Sequence, residues 1–289
     1  MADYLRNIEV KDIEKTNELL SFRINNIDHS VANALRRTIM SDTPTMAIHW
    51  VYIRENSSVM ADEVLAHRLG LVPVIADPDE FEEVVQKESF NPATDITNRT
   101  GMFFELVVEN KTNDVVSIYS NDISVASGPL DRSADPKKKP KKETQKQKQN
   151  FPLKPGVLIT RLAPHQKIEA RMTAIKGVGR AHAKWMPTSV CFYRHVKTVE
   201  IKDQEKVPAI KKYFRAGLVE KNGTYEVSEN AQINPDVAKH HPDAVEILKN
   251  PTHFIFELET VSEDPKSVLK RSIKILQQKL ESLKNEVPC

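Results

Sequence analysis

Leu20-Ser21-Phe22-Arg23-Ile24-Asn25 is followed, after Asn26-Ile27, by Asp28-His29-Ser30-Val31-Ala32-Asn33-Ala34-Leu35-Arg36-Arg37. Leu20, Phe22 and Ile24 alternate with polar residues, the period-2 pattern of a strand with one buried face. Asp28 is placed as a helix N-cap, because its carboxylate accepts the unpaired amide hydrogens of a first turn. Val31, Leu35 and Ile39 then recur every four residues. Asp42-Thr43-Pro44 ends the helix, since the residue before a proline is pushed out of the α region.

The other end of the chain repeats the scheme. Phe254, Phe256 and Leu258 alternate with Ile255, Glu257 and Glu259, and Asp264-Pro265 supplies an N-cap and a pre-set first helical residue. A helix to about Lys284 puts Leu269, Ile273, Leu276, Leu280 and Leu283 at spacings of 4, 3, 4 and 3, with Val268 and Ile275 widening the seam. The stripe is too short for a free-standing coiled coil. It covers either the chain's own core or a partner's helix, and periodicity alone leaves both open.

Between these ends the chain reads mostly as β. Ala47 to Glu55 is a strand, and Asp62 to Leu69 a short helix ended by Gly70 in left-handed geometry. Leu71-Val72-Pro73-Val74-Ile75 reads as an edge or terminal strand, because its proline must sit where no ladder bond is lost. Phe103 to Val108, Val115 to Tyr119, Val157 to Arg161, Lys167 to Ala174 and Ser189 to Tyr193 are further strands. Lys176-Gly177-Val178-Gly179-Arg180 is expected to be a loop.

Composition removes several function classes. No run approaches ~18 apolar residues, so no membrane-spanning helix is expected. Met1 to Arg6 lacks the apolar core of a signal peptide, so export is not expected. Cys191 and Cys289 are the only cysteines, which excludes a disulfide framework or a thiolate-built zinc site. The net charge of +2 is unevenly spread. Between Pro136 and Asn150 seven lysines face one acid, a segment of +6 that leaves −4 on the rest. Lys137, Lys138, Lys139, Lys141 and Lys142 head this run, for which three readings stand: a solvated linker, a nuclear-import signal, and a nucleic-acid tether whose affinity collapses in salt.

Enzymatic motifs are missing. Glu63 and His67 share a helix face at i, i+4, and with His182 they are the nearest approach to a metal hydrolase. A metal site needs a third ligand and a supporting shell, and Arg68 adjoins the pair, so a solvated or interface-facing helix is favoured. Gly177-Val178-Gly179 lacks the third glycine of a dinucleotide fingerprint and sits between strands, so a tight turn is favoured over a phosphate loop. Cys191 lies inside an apolar strand and reads as core.

Four blocks in order carry a resemblance. They are Asn26 to Arg37, Pro44 to Val51 with Asn56-Ser57-Ser58-Val59, Asp62 to Pro73, and Lys176-Gly177-Val178-Gly179-Arg180-Ala181-His182-Ala183-Lys184-Trp185-Met186-Pro187. Together they resemble the α-like subunit family of DNA-dependent RNA polymerases: bacterial alpha, its archaeal counterpart and the third-largest eukaryotic subunit. The resemblance implies an α+β fold, with a discontinuous dimerisation domain built from the strand–helix pairs at both chain ends and an inserted, mostly β domain. Mapped here, residues 1–47 and 189–289 form the dimerisation domain. Residues 48–188 form the insertion, with a flexible Lys-rich loop at about 131–150.

The same resemblance implies a non-catalytic assembly platform in the nucleus, or in the cytoplasm or a virion if the polymerase is archaeal or viral. Its partners are a small α-like subunit bound as a heterodimer, the second-largest subunit, and other small polymerase subunits. DNA is met only indirectly, and no membrane is involved. Val31, Leu35, Leu269, Ile273, Leu276, Leu280 and Leu283 are assigned to the dimer interface, and Asn33, Arg36 and Arg37 to the large-subunit contact. Some relatives carry a cysteine cluster in the insertion, but Asp77 to Thr100 has no cysteine, so no metal or other cofactor is expected. A stand-alone nucleic-acid-binding protein acting through residues 137–148 is the alternative.

Overall fold

The computed structural model describes residues 8–84, 90–91, 95–126, 128, 152–221 and 224–286; the lysine run lies outside them. Contacts divide the chain into two compact units. One holds Met1–Thr16, Leu20–Arg36 and Phe192–Leu258, the other Asn17–Leu19, Arg37–Cys191 and Glu259–Cys289. This grouping puts the C-terminal helix with residues 37–191, whereas the expected division joins it to the N-terminal strand and helix.

In the first unit the leading strands are β1 (Glu9–Lys15) and β2 (Leu19–Asn25), paired antiparallel. Helix α1 (His29–Ser41) follows, and Asp28 Oδ1 accepts the Ser30 backbone N–H at 2.7 Å, as the N-cap reading requires. Leu20, Phe22 and Ile24 are buried, and Phe22 stacks on Phe256 with ring centroids 5.2 Å apart; Ser21 and Asn25 are buried too, so β2 does not have the single buried face expected of it. The sheet order is β1-β2-β12-β9, the last two being Val245–Thr260 and Thr188–Ile201.

A satellite core sits between β9 and β12 in sequence. It gathers Val207 and Ile210 of α3 (Val207–Ile210), Val237 of α4 (Val237–His240), Ala244 and Val245. The hairpin β10 (Phe214–Lys221) and β11 (Thr224–Ile233) covers it with Leu218, Tyr225 and Ile233. The sequence reading did not anticipate β1 or this hairpin.

The second unit centres on a sheet of order β3-β8-β4-β6: Pro44–Asn56, Lys167–Val178, Gly101–Glu109 and Ile123–Val125. Its register puts Met46 opposite Lys176 and Ile48 opposite Ala174. Alternation then sends Met46 and Ile48 into one core and Ala47 into another, against Trp185. Helix α2 (Asp62–Gly70) lays Leu65 and Leu69 on the first core, and the ribbon of β5 (Val116–Tyr119) and β7 (Leu158–Leu162) adds Ile118, Ile159 and Leu162. The last helix, α5, spans Pro265–Glu286.

Four local expectations are corrected. Leu71 to Ile75 makes one isolated bridge, Val74 to Leu153, in place of a strand, because Pro73 has no N–H to continue a ladder. Gly70 is not left-handed; the helix closes through Leu71 in right-handed geometry, at φ −90°. β8 runs on through Val178, so Lys176, Gly177 and Val178 are strand residues and the loop starts at Gly179. Cys191 is half-buried, because its side of β9 is not covered over its full length.

Candidate functional site

The motif blocks of the second unit fold against one another. Arg68 on α2 donates Nε to the Ile159 carbonyl and Nη2 to that of Leu158, both at 2.8 Å, which fastens the helix to β7. Asn56 accepts the Ser58 N–H at 3.1 Å and donates Nδ2 to the Met60 carbonyl at 2.8 Å and to Asp62 Oδ1 at 2.7 Å. The asparagine thus shapes the turn that launches α2. Thr45 Oγ1 donates to the Trp185 carbonyl at 2.7 Å, and the Trp185 indole donates to that of Ile175 at 3.1 Å.

Both glycines of Gly177-Val178-Gly179 have packing duties. A Cβ at Gly177 would collide with the Trp185 ring, and one at Gly179 with the Met40 carbonyl. Space is what these positions require, and it brings the loop onto the last turn of α1. There the Arg180 N–H donates to the Ser41 carbonyl at 2.9 Å, and its guanidinium bonds Asp42 at 2.6 Å. A cation at a helix C-terminus also meets the negative end of the helix dipole.

Asp42 takes a second cation, Lys279 of α5, and Thr43 Oγ1 lies 2.7 Å from Ser272 Oγ. Arg271, only 10% exposed, reaches Glu263 at 2.8 Å, Asp77 at 3.1 Å and Asp79 at 3.4 Å. Burial raises the Glu263 pKa despite the pull of Arg271. Along α5 the buried residues are Pro265, Val268 and Ser272.

The expected seam flanks that buried face, and Val268, which widens it, is itself buried. Leu269 and Leu276 are half-buried, whereas Ile273, Leu280 and Leu283 are 49%, 60% and 56% exposed. Every residue from 277 to 286 is exposed. On α1, Val31 is exposed but Leu35 is buried in the chain's own core. Arg36 and Asn33, half-exposed, are joined by a 3.0 Å hydrogen bond from Nη2 to Oδ1, and Arg37 stands exposed one residue on. The basic segment Lys137, Lys138, Lys139, Lys141 and Lys142 falls outside the described residues. Glu63 and His67 are on an exposed helix face, and no group of three or more metal-type side chains occurs among the described residues.

One arrangement was not foreseen. Beside β3 and α2 a cleft of about 390 Å³ is lined by His49, His67, Leu71, His182 and Lys184, among others. Lys184 Nζ donates to the Ile48 carbonyl at 2.9 Å, lies 2.8 Å from His49 Nδ1, and sits 4.5 Å from the Trp185 ring centroid. Burial lowers the Lys184 pKa to about 8. Burial, and then the charges of Lys184 and His182, lower that of His49 to about 4.

α5 thus leaves aliphatic side chains in water, and sequence comparison identifies the kind of protein that carries it. Residues 21–280 match the RNA polymerase Rpb3/Rpb11 dimerisation domain. The chain belongs to that family. It is an α-like, assembly-type subunit of a multisubunit DNA-directed RNA polymerase. It is 31% identical to the RPAC1 subunit of DNA-directed RNA polymerases I and III of Saccharomyces cerevisiae, over 98% of this chain and 87% of the yeast protein. It is 30% identical to the archaeal subunit Rpo3 of Methanothermobacter thermautotrophicus, over 93% and 95% of the two chains. It is also 30% identical to subunit 3 of DNA-directed RNA polymerases II, IV and V of Arabidopsis thaliana, over 98% and 92%. The α+β architecture agrees with that family, and nothing favours a stand-alone nucleic-acid-binding protein.

Proposed function

We propose that this α-like subunit is non-catalytic and nucleates assembly by pairing with a small α-like subunit through the exposed stripe of α5; Leu35, buried in the chain's own core, is not available for such a contact. Residues 1–47 and 189–289 act as the dimerisation domain, and 48–188 as the inserted domain. The observation that carries the reading is the exposed stripe of Ile273, Leu280 and Leu283, which flanks the buried face made by Val268 and Ser272 and runs on into a C-terminal half of α5 exposed on all sides. A stripe of that kind, left to water, favours association. Exposed Arg37, with Arg36 and Asn33 beside it, is the contact for the second-largest subunit, where a guanidinium fixes register through paired hydrogen bonds. Other small subunits complete the assembly, and DNA is reached only through it. Relatives from eukaryotic polymerases support a nuclear location, with the archaeal relatives marking the alternative.

Co-expression with candidate small α-like subunits is expected to give a stable 1:1 complex. Arg37→Glu should reduce recruitment of the second-largest subunit and leave that heterodimer intact. A soluble chain that binds none of these subunits overturns the reading.

A further inference from the structure

The Lys184 cleft has no role in the pairing described above. A second cavity of about 190 Å³ adjoins it, lined by Thr45, Met46, Pro73 and Thr188 and sharing Leu71 and Lys184 with the first. Neither lining contains a carboxylate. An ammonium has three donors; that of Lys184 spends one on the Ile48 carbonyl and one on His49 Nδ1. Thr188 Oγ1 is buried and has no hydrogen-bond partner. Leu71 is 49% exposed at the boundary of both cavities.

A half-buried cation with no counter-charge in either lining, together with a buried hydroxyl without a hydrogen-bond partner in the adjoining cavity, is a poor arrangement for the isolated chain. Burying charge without a partner is unfavourable, and such groups concentrate at functional sites. The same arrangement suits an incoming anion. A metal cation would be repelled by the ammonium. A nucleic-acid strand would need basic residues spaced along a groove, whereas here they converge on one point.

We propose that the double cleft receives an acidic segment of another polymerase subunit, with one carboxylate seated on Lys184 between His182 and Thr188 and the neighbouring apolar atoms on Leu71. Charge complementarity selects that occupant. The seated carboxylate neutralises the ammonium, takes its third donor, and restores the charged form that burial alone disfavours. The inference rests on the family reading, because the occupant is another subunit of the same polymerase.

The test uses the assembled polymerase and a carbodiimide, which joins an amine and a carboxylate only when they touch. The expected product is an amide between Lys184 and a mapped Asp or Glu of another subunit. Lys184→Met should weaken retention of that subunit at least tenfold in a salt wash, and Lys184→Arg should keep most of it. The Lys184→Met chain alone should melt no lower than the wild type, because an uncompensated buried charge has been removed. Four results overturn the proposal: no intersubunit adduct at Lys184; unchanged retention in Lys184→Met; a lowered melting temperature that Lys184→Arg does not restore; or acetate binding to the isolated chain with no effect of Lys184→Met on assembly. If the wild-type chain pairs with no α-like subunit at all, the function proposed above fails first. If pairing is intact and only the Lys184 results fail, only this inference falls.

Discussion

Helices α1 and α5 look alike as sequence and differ as structure. Both are capped by an aspartate, both follow an alternating strand, and both carry aliphatic residues at helical spacing. α1 buries Ala32, Leu35, Thr38 and Ile39 within the chain. α5 buries Val268 and Ser272, secures that side through Arg271, and leaves Ile273, Leu280 and Leu283 in water. Periodicity establishes that a helix has an apolar face; it does not establish what covers that face. On α5 the polar contacts of Arg271, Ser272 and Lys279 hold one flank of the helix, and the aliphatic residues beside them stay in water.

The contrast can be tested one side chain at a time. Ile39→Ala in α1 removes a fully buried side chain and should cost about 2–5 kcal/mol of stability in denaturant unfolding. A cost below 1 kcal/mol would mean that α1 is not core. Gly179→Ala presses a methyl on the Met40 carbonyl at the end of α1 and should cost about 1–3 kcal/mol, by the same measurement. Asp42→Asn weakens the two cation contacts that hold the ends of α1 and α5. Both cations are substantially exposed, so the expected loss is at most about 1 kcal/mol, falling further at high salt. Leu280→Ala should change the chain's own stability by no more than about 0.5 kcal/mol while weakening the small-subunit heterodimer at least tenfold by calorimetry. A cost of 2 kcal/mol to the isolated chain would erase the distinction between the two helices.

Much of this was legible without coordinates, for physical reasons. The strand–helix pairs at both ends announce themselves through local periodicity, and Asp28 and Asp264 act as caps because capping is a contact of two or three residues. The hairpin of β10 and β11, in which Lys221 pairs with Thr224, is less legible. Its strands alternate weakly, because their core is small. The extension of β8 past Gly177 was hidden by the glycines, which read as turn residues until Trp185 and Met40 show what they make room for. The Lys184 cleft was not legible at all. Lys184 and the Ile48 carbonyl are 136 positions apart, and nothing local marks a lysine that will be buried.

The junction at Asp42 has a consequence for the order in which the molecule is made. Its partners are remote along the chain: Lys279 lies 237 positions from Asp42, Arg180 lies 138, and Ser272 lies 229 from Thr43. Contacts of such separation form after local ones, because a long loop must close before they return any stabilisation. A ribosome completes α5 after every other part of the junction, so this helix is fixed in place only on a body that has already folded. The pairing proposed for α5 would then double as a check on the subunit, since a chain stalled or misfolded upstream does not hold this helix in position.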